Sequence, residues 1–344
     1  MNLLKRINLK ALSRHELDRF ISSIGEKPFR SSQIWTWIYQ KGLTSFDGMT
    51  NISGDLRAKF DRIACISSLK LTEKKSSPLS KAQKFLYELE DGLKIETVYI
   101  PENKRRTVCI SSQIGCALQC SFCATGRMGF QRNLLPHEMS DQILSVWKEV
   151  KKKPTNIVVM GMGEPFLNYE NVIKSLHIIN DPEGIAIGHR KITISTAGIV
   201  PQIIRYTEEA HPFKLAISLN ATTDAIRSQL MPVNEKYPLK QLLQAARQYT
   251  RRRKKRLTFE YVLLKGVNET PADSQRLLKL LKGIPCKVNL IAYNPTQSEY
   301  TRPDEEHIKT FAESIRPLYA PVTLRLSRGD DINAACGQLA VTKR

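Results

Sequence analysis

One short stretch carries three cysteines at a fixed spacing, Cys116-Ala-Leu-Gln-Cys120-Ser-Phe-Cys123. Three thiolates on a single loop suit a metal centre that keeps one position free of protein. An electron-transfer [4Fe–4S] cube takes four cysteines, and structural zinc takes four Cys or His ligands. None of the six histidines forms a His-x3-5-His pair to complete a zinc site. Two other readings stay open on spacing alone: a zinc site with a distant fourth ligand, and three unrelated buried thiols. The remaining cysteines, at 65, 109, 286 and 336, bring the total to an odd seven. Taken singly, a free cysteine reads as an inert buried residue.

The elements that must position the loop follow from hydrophobic pattern. The chain has 344 residues, long enough to bury a core across about two domains. From residue 105 onward, β-branched runs alternate with helical periodicity. Strands are predicted at Thr107–Ser111, Asn156–Met160, Lys191–Ser195, Lys214–Ser218, Leu257–Val262 and Lys287–Ala292, with a further one at Val322–Leu326. The intervening helices include one through Met139, Ile143, Trp147 and Val150 and another over Leu239–Tyr249. This alternation predicts parallel βαβ units in an open, partial (β/α)6 barrel, with chemistry at the carboxyl ends of the strands. The cysteine loop follows the first of these strands. Before it, residues 1–68 read as a small helical domain in which Ser13-Arg-His-Glu16 forms a capping box. Residues 69–101 read as a β-hairpin adaptor whose strands flank Asp91-Gly92, preceded by a polar loop at Lys74–Ser80. Residues 102–330 are then the core, and 331–344 a C-terminal segment carrying Cys336.

Composition narrows the partner. Lysine and arginine total 53 against 33 acidic residues, a net charge of +20, which points to nucleic acid. No apolar stretch is long enough for a membrane span and no signal peptide is visible, so a cytoplasmic protein without a membrane partner is expected. In a reducing compartment, seven cysteines argue against a structural disulfide framework. Basic runs occur at Arg251–Arg256, Lys104–Arg106 and Lys151–Lys153. Trp35, Trp37 and Tyr39 near Lys41 are candidates to stack on bases, although their helical spacing suits core positions as well.

The cysteine spacing, with Phe122 before the third thiol, resembles the radical S-adenosylmethionine (SAM) enzymes. Further segments resemble one branch of these, the RlmN/Cfr adenosine methyltransferases, across nearly the whole chain. They are Val108–Gly126, Gly161-Met-Gly-Glu-Pro165, Ile194–Gly198, Leu215–Asn220, Val288–Pro295 and Gly329–Leu339. The resemblance implies that Cys116, Cys120 and Cys123 hold one [4Fe–4S] cluster whose fourth iron binds SAM. By the same resemblance, Gly163, Glu164, Ser195, the Ser218-Leu219-Asn220 turn and Asn294 contact SAM. Some relatives carry histidine at the position of Asn220, so its backbone rather than its side chain is the expected contact. On pattern alone these positions are strand-end turns and helix caps.

The implied reaction explains why a radical is needed. The C2 carbon of adenine lies between two ring nitrogens, is electron-poor and cannot attack a methyl group. In the family, one SAM methylates a cysteine, here Cys336. A 5′-deoxyadenosyl radical from a second SAM then removes a hydrogen from that S-methyl group, and the resulting methylene radical adds to C2. The resemblance assigns Glu96 to accept the C2 proton and Cys109 to resolve the adduct through a transient disulfide with Cys336. By alternation alone, Glu96 reads as a solvent-facing strand residue. Cys65 and Cys286 are expected to be packing residues. The implied product is 2-methyladenosine in 23S ribosomal RNA and in a subset of transfer RNAs, with a flavodoxin- or ferredoxin-type reductant and a monomeric enzyme. A Cfr-like C8 methyltransferase and a non-catalytic iron–sulfur or zinc RNA-binding protein are the alternatives.

Overall fold

The computed structural model describes residues 6–318, 320–325 and 327–341. Ten strands form one open sheet: β1 (Lys70–Ser76), β2 (Gln83–Glu88), β3 (Lys94–Glu102), β4 (Arg105–Ile110), β5 (Asn156–Val159), β6 (Ile192–Thr196), β7 (Lys214–Ser218), β8 (Leu257–Leu263), β9 (Cys286–Ala292) and β10 (Val322–Arg325). Their spatial order is their chain order. Strands β1 to β4 pair antiparallel, and β4 to β10 pair parallel throughout. The parallel strands are connected through helices, including Pro136–Val150, Tyr169–Asn180 and Leu239–Arg253, and they form a partial rather than a closed barrel. Phe259, Tyr261 and Leu263 of β8 join the main apolar core. The alternate residues Glu260 and Val262 point into a cavity on the other face.

Each expected strand of the parallel region is present within one or two residues. Leu326, expected at the end of the last, lies outside the described residues. Two readings change. Lys74–Ser76, taken as loop, belong to the edge strand β1, and the connecting turn begins at Ser77. The hairpin of β2 and β3 is no separate ribbon, since β3 pairs with β4 and so extends the barrel sheet.

The N-terminal helices are α1 (Arg14–Ser23), α2 (Phe29–Tyr39) and α3 (Gly54–Ile63). The expected capping box is formed: Glu16 N donates to Ser13 Oγ at 3.3 Å, and Ser13 N donates to Glu16 Oε2 at 2.6 Å. Trp35 and Tyr39 are fully buried and unavailable for stacking on bases. The Trp35 indole docks on the loop after helix Tyr169–Asn180, where Nε1 donates to Asp181 Oδ1 at 3.2 Å. Trp37 is half-buried and donates to Asn51. A buried ion pair adds a second pin: Lys10 Nζ reaches Asp141 Oδ1 at 2.5 Å and Ser67 O at 2.7 Å.

Candidate active site at the carboxyl ends of the strands

The cysteine loop leaves β4 through a two-stranded ribbon, Gln113–Gly115 against Phe130–Asn133. Gly115 has φ +72°, and a Cβ there would stand 1.7 Å from Gly129 O, so only glycine allows the two backbones to meet. Cys116, Cys120 and Cys123 then line a cavity that is partly open to solvent. The same wall holds Gly163 and Glu164 after β5, Ser195 on β6, Ser218 at the end of β7, Asn220 after it, Asn294 after β9, and Cys336. The rule that open parallel sheets carry chemistry at their strand ends therefore holds here. Leu219 does not line the cavity: its side chain is core, and its backbone N donates to Glu260 O.

Among the described residues, no three His, Cys, Asp or Glu side chains converge tightly enough to hold a single ion. The three thiols instead stand around a shared cavity, the arrangement suited to a multi-iron cluster in which each thiolate takes a different iron. Burial pushes the Cys116 thiol up to about 12 and Cys120 well above its usual range, so both are neutral until a cation compensates them. The donor set, its loop and its cavity fit the cluster.

The second wall is tightly fixed. Gly163 has φ +94°, and a Cβ there would meet Gln113 Cβ at 2.4 Å. This close approach lets Glu164 N donate to Gln113 Oε1 at 2.7 Å. Glu164 accepts from Phe166 N at 2.9 Å and Ala197 N at 2.7 Å. Burial outweighs these bonds and pushes its carboxyl up to about 7. Asn220 sits in the left-handed region at φ +55°. Its side chain is spent on Val262 N and Met231 Sδ and its carbonyl on Asn268 Nδ2, which leaves its backbone N–H as the contact it can offer.

Among its described residues, the C-terminal segment brings Cys336 to the cavity without regular secondary structure beyond one 3-10 turn, Asp330–Ile332. Asn294 Nδ2 donates to Cys336 O at 3.0 Å, Ala124 N to Gly337 O at 2.7 Å and Thr125 Oγ1 to Leu339 O at 2.6 Å. Register places the other two candidates beneath this segment. Val98 of β3 pairs with Cys109 of β4, and Glu96 lies two residues from Val98, so Glu96, Val98 and Cys109 share one sheet face. On that face, Cys109 and Val98 pack with Met162, Ala334 and Leu339. Glu96 is buried rather than solvent-facing, because the segment covers it: Oε2 accepts from Ala340 N at 3.0 Å and Oε1 pairs with Lys84 Nζ at 2.8 Å. Glu96 and Cys109 thus lie behind the cavity wall, and neither lines it. Burial, and next the charge of Cys336, pushes the Cys109 thiol up to about 12, while Arg325 pulls it down.

Sequence reasoning missed several residues here. Glu260 lines the cavity with Oε2 unpartnered, and Arg325 of β10 lines the wall that also holds Cys336. Arg227 is fully buried and donates to Ala197 O, Ser218 O and Leu219 O, which fastens the ends of β6 and β7 together. An acid inside an otherwise apolar parallel strand was the available signal for Glu260; nothing local marked Arg227. Of the basic runs, Arg253 and Lys255 donate to backbone carbonyls of residues 210–212, whereas Arg251, Arg252, Lys254 and Arg256 are exposed. Lys104, Arg105 and Lys151–Lys153 are exposed too, and the last two runs adjoin, since Arg106 Nε donates to Lys153 O at 2.7 Å. Cys286 is buried and Cys65 half-buried, away from the cavity. Among the described residues, no helix is long and apolar enough to cross a membrane.

Comparison with known proteins agrees with this arrangement. Residues 7–66 match the ribosomal RNA large subunit methyltransferase N-terminal domain, and residues 110–278 match the radical SAM superfamily. A probable dual-specificity RNA methyltransferase RlmN from Clostridioides difficile is 43% identical, covering 97% of this chain and 98% of that protein. One from Thermotoga maritima is 45% identical, covering 98% of each. The crystal structure of a radical SAM methyltransferase from Sphaerobacter thermophilus superposes with a TM-score of 0.92 at 42% identity, covering 97% of this chain and 99% of that one. With cysteine loop, strand-end cavity and N-terminal module matched over the whole length, the chain belongs to the RlmN family of radical SAM RNA methyltransferases.

Proposed function

We propose that the enzyme makes 2-methyladenosine in 23S ribosomal RNA and in a subset of transfer RNAs. The observation that carries this reading is the placement of Cys336: its segment reaches the three-cysteine cavity while covering Glu96 and Cys109 on the adjoining sheet face. In this reading, Cys116, Cys120 and Cys123 hold the [4Fe–4S] cluster. Gly163, Glu164, Ser195, Ser218, Asn220 and Asn294 hold SAM, while Leu219, its side chain in the core and its backbone already bonded, only shapes the turn. When bound, the pair supplies one electron, a 5′-deoxyadenosyl radical and the methyl group.

The chain's own residues do the rest. The Cys336 sulfur carries the one-carbon unit to the base and is for a time bonded to RNA. Glu96 takes the C2 proton, a task suited to a carboxyl whose affinity for protons is raised by burial. Cys109, as its thiolate, then attacks the Cys336 sulfur: a disulfide forms, the sulfur–carbon bond breaks with its electron pair on the former methylene carbon, a proton completes the methyl group, and the base leaves, the adduct's unpaired electron having gone to the redox centre that the bound cluster would supply. Burial keeps Cys109 as a thiol until the covering segment moves. A flavodoxin- or ferredoxin-type donor supplies electrons and restores the thiols. The exposed basic runs meet RNA phosphate, and the target adenine must be turned out of its stack to reach the cavity. The working unit is a cytoplasmic monomer, divided into residues 1–68 for RNA handling, 69–101 as the antiparallel extension, 102–330 as the catalytic core and 331–344 as the carrier segment.

Two measurements test the proposal. RNA from a strain lacking the enzyme should lose 2-methyladenosine on nucleoside mass spectrometry; unchanged 2-methyladenosine refutes the substrate assignment. Protein reconstituted anaerobically with iron and sulfide should release 5′-deoxyadenosine from SAM on addition of dithionite. Its absence would leave an RNA-binding protein without this chemistry.

A further inference from the structure

We propose that Lys84 is a positioning residue that aligns the Glu96 carboxylate and clamps it to the segment carrying Cys336. The inference rests on the reading of Glu96 as proton acceptor. Lys84 sits on β2 opposite Val98, diagonally across from Glu96, and the two side chains share a face. Lys84 is 8% exposed and Glu96 5%. Lysines are almost never buried without a partner, because the ammonium must replace its water with other acceptors. Lys84 Nζ has found two, Glu96 Oε1 at 2.8 Å and Asn333 O at 3.0 Å. The other oxygen, Glu96 Oε2, accepts from Ala340 N at 3.0 Å. These contacts grip the carrier segment at residues 333 and 340, on either side of Cys336.

This geometry gives Lys84 two consequences for the reaction. Burial by itself favours the protonated carboxyl of Glu96, which is useless as a base. The opposing cations are Lys84 in contact and Lys75 of β1 at longer range; the carrier segment adds the Ala340 N–H, and β4 presents the Cys109 thiol to the same face. Lys84 therefore keeps a working fraction of Glu96 ionised and holds Oε1 in place. Once the proton has moved from adenine C2 to the carboxylate, Glu96 is neutral and its attraction for Lys84 falls. Because the carrier segment covers Glu96, it must already have shifted for adenine C2 to reach the carboxylate; neutralising Glu96 then weakens the pull that would close it again, which keeps Cys109 exposed.

The test uses full-length protein. In single turnovers of the reconstituted enzyme from pH 6 to 9, the covalent Cys336–RNA adduct is followed on denaturing gels. Lys84→Met should raise the adduct at pH 7 by about tenfold and move the acid limb of its breakdown up by about one pH unit, while Lys84→Arg keeps the limb in place. Without cluster or RNA, Lys84→Met should also speed iodoacetamide labelling of Cys336, read on the peptide that begins at Gly329. Equal slowing at every pH, or unchanged labelling, overturns the proposal. If Glu96→Gln traps the adduct but Lys84→Met clears it like the parent, Lys84 alone is misassigned. If Glu96→Gln itself clears the adduct normally, the reading of Glu96 as base falls, and this inference with it.

Discussion

The chain is joined to its catalytic sheet by two appended pieces, and they are held in opposite ways. Leu9, Leu17, Ile21, Ile34, Trp35, Ile38 and Tyr39 of the N-terminal module merge into the main apolar core, and the Lys10–Asp141 pair pins them from within. Among the described residues, the carrier segment contributes buried Ala334 and Leu339 and partly buried Ile332 and Val341 to a small separate cluster, and is also held by hydrogen bonds from Asn294, Ala124, Thr125 and Lys84. Apolar burial scales with area and is lost only when a unit unfolds, whereas single hydrogen bonds are each worth about 0.5–1.5 kcal/mol and exchange individually. The part that only has to stay in place is thus built into the core. The part that in the proposed mechanism bonds to RNA, then disengages, is attached by contacts that can open locally.

The sharpest contrast is chemical. Cys336→Ala should abolish 2-methyladenosine while leaving the melting temperature near that of the parent, because its Sγ supports no described hydrogen bond. Cys109→Ala should form product-linked protein that does not resolve, seen as RNA that stays with the chain under denaturing conditions. Normal turnover by Cys109→Ala would remove the resolving role. No single substitution in the N-terminal module should produce either signature; there the expected losses are in RNA affinity and stability.

The same contrast explains what was legible in the sequence. The three-cysteine loop and the Ser13–Glu16 capping box announce themselves because the residues involved lie within a few positions of one another, and the parallel strands because each carries its own apolar, β-branched run. Strand β1 was hidden: its Lys, Thr, Glu and Lys residues are exposed on both faces of a sheet edge, so no alternation marks it, and such charge is how an edge avoids pairing with other chains. Alternation alone reads Glu96 as solvent-facing for the converse reason. Alternation told which face it occupies, but not that residues more than 200 positions later cover that face. The folding-back of the carrier segment and the Lys84 clamp depend on such long-range contacts, and the Arg227 fastening joins two strand ends that only the fold brings together; none of these leaves a local periodicity.

Stability measurements probe the contrast next. Asp141→Asn leaves the Lys10 ammonium buried with its counter-charge removed. It should cost about 3–5 kcal/mol in urea unfolding. Thr125→Val removes one bond to the carrier segment and should cost about 1 kcal/mol. That loss should appear as faster amide exchange over residues 334–341, with little change in the global transition. Comparable global costs for the two variants would mean that the segment is as firmly built in as the module.

The smallest expected effect separates charge from geometry at the module's border. Glu16 closes the capping box and also meets Lys174 of helix Tyr169–Asn180 at 2.6 Å. Partial burial pushes its carboxyl up, but hydrogen bonds from Lys174 and from the Ser13 backbone and side chain prevail and bring it down from 4.5 to about 2. An acid with a lowered folded pKa stabilises the protein above its unfolded value and ceases to do so as pH falls through the folded one. Glu16→Gln keeps a side chain that can close the capping box and deletes only the charge. With both partners about a third exposed, the charge is screened by solvent and contributes at most about 1 kcal/mol. The gap between parent and variant in urea midpoint should be constant from pH 7 down to about 5, narrow between 4.5 and 2, and vanish below. A gap that persists at pH 2 would place the contribution in packing and cap geometry. The module would then be held even less by charge, and the Lys84–Glu96 pair would be set further apart as the ionic contact tied to chemistry.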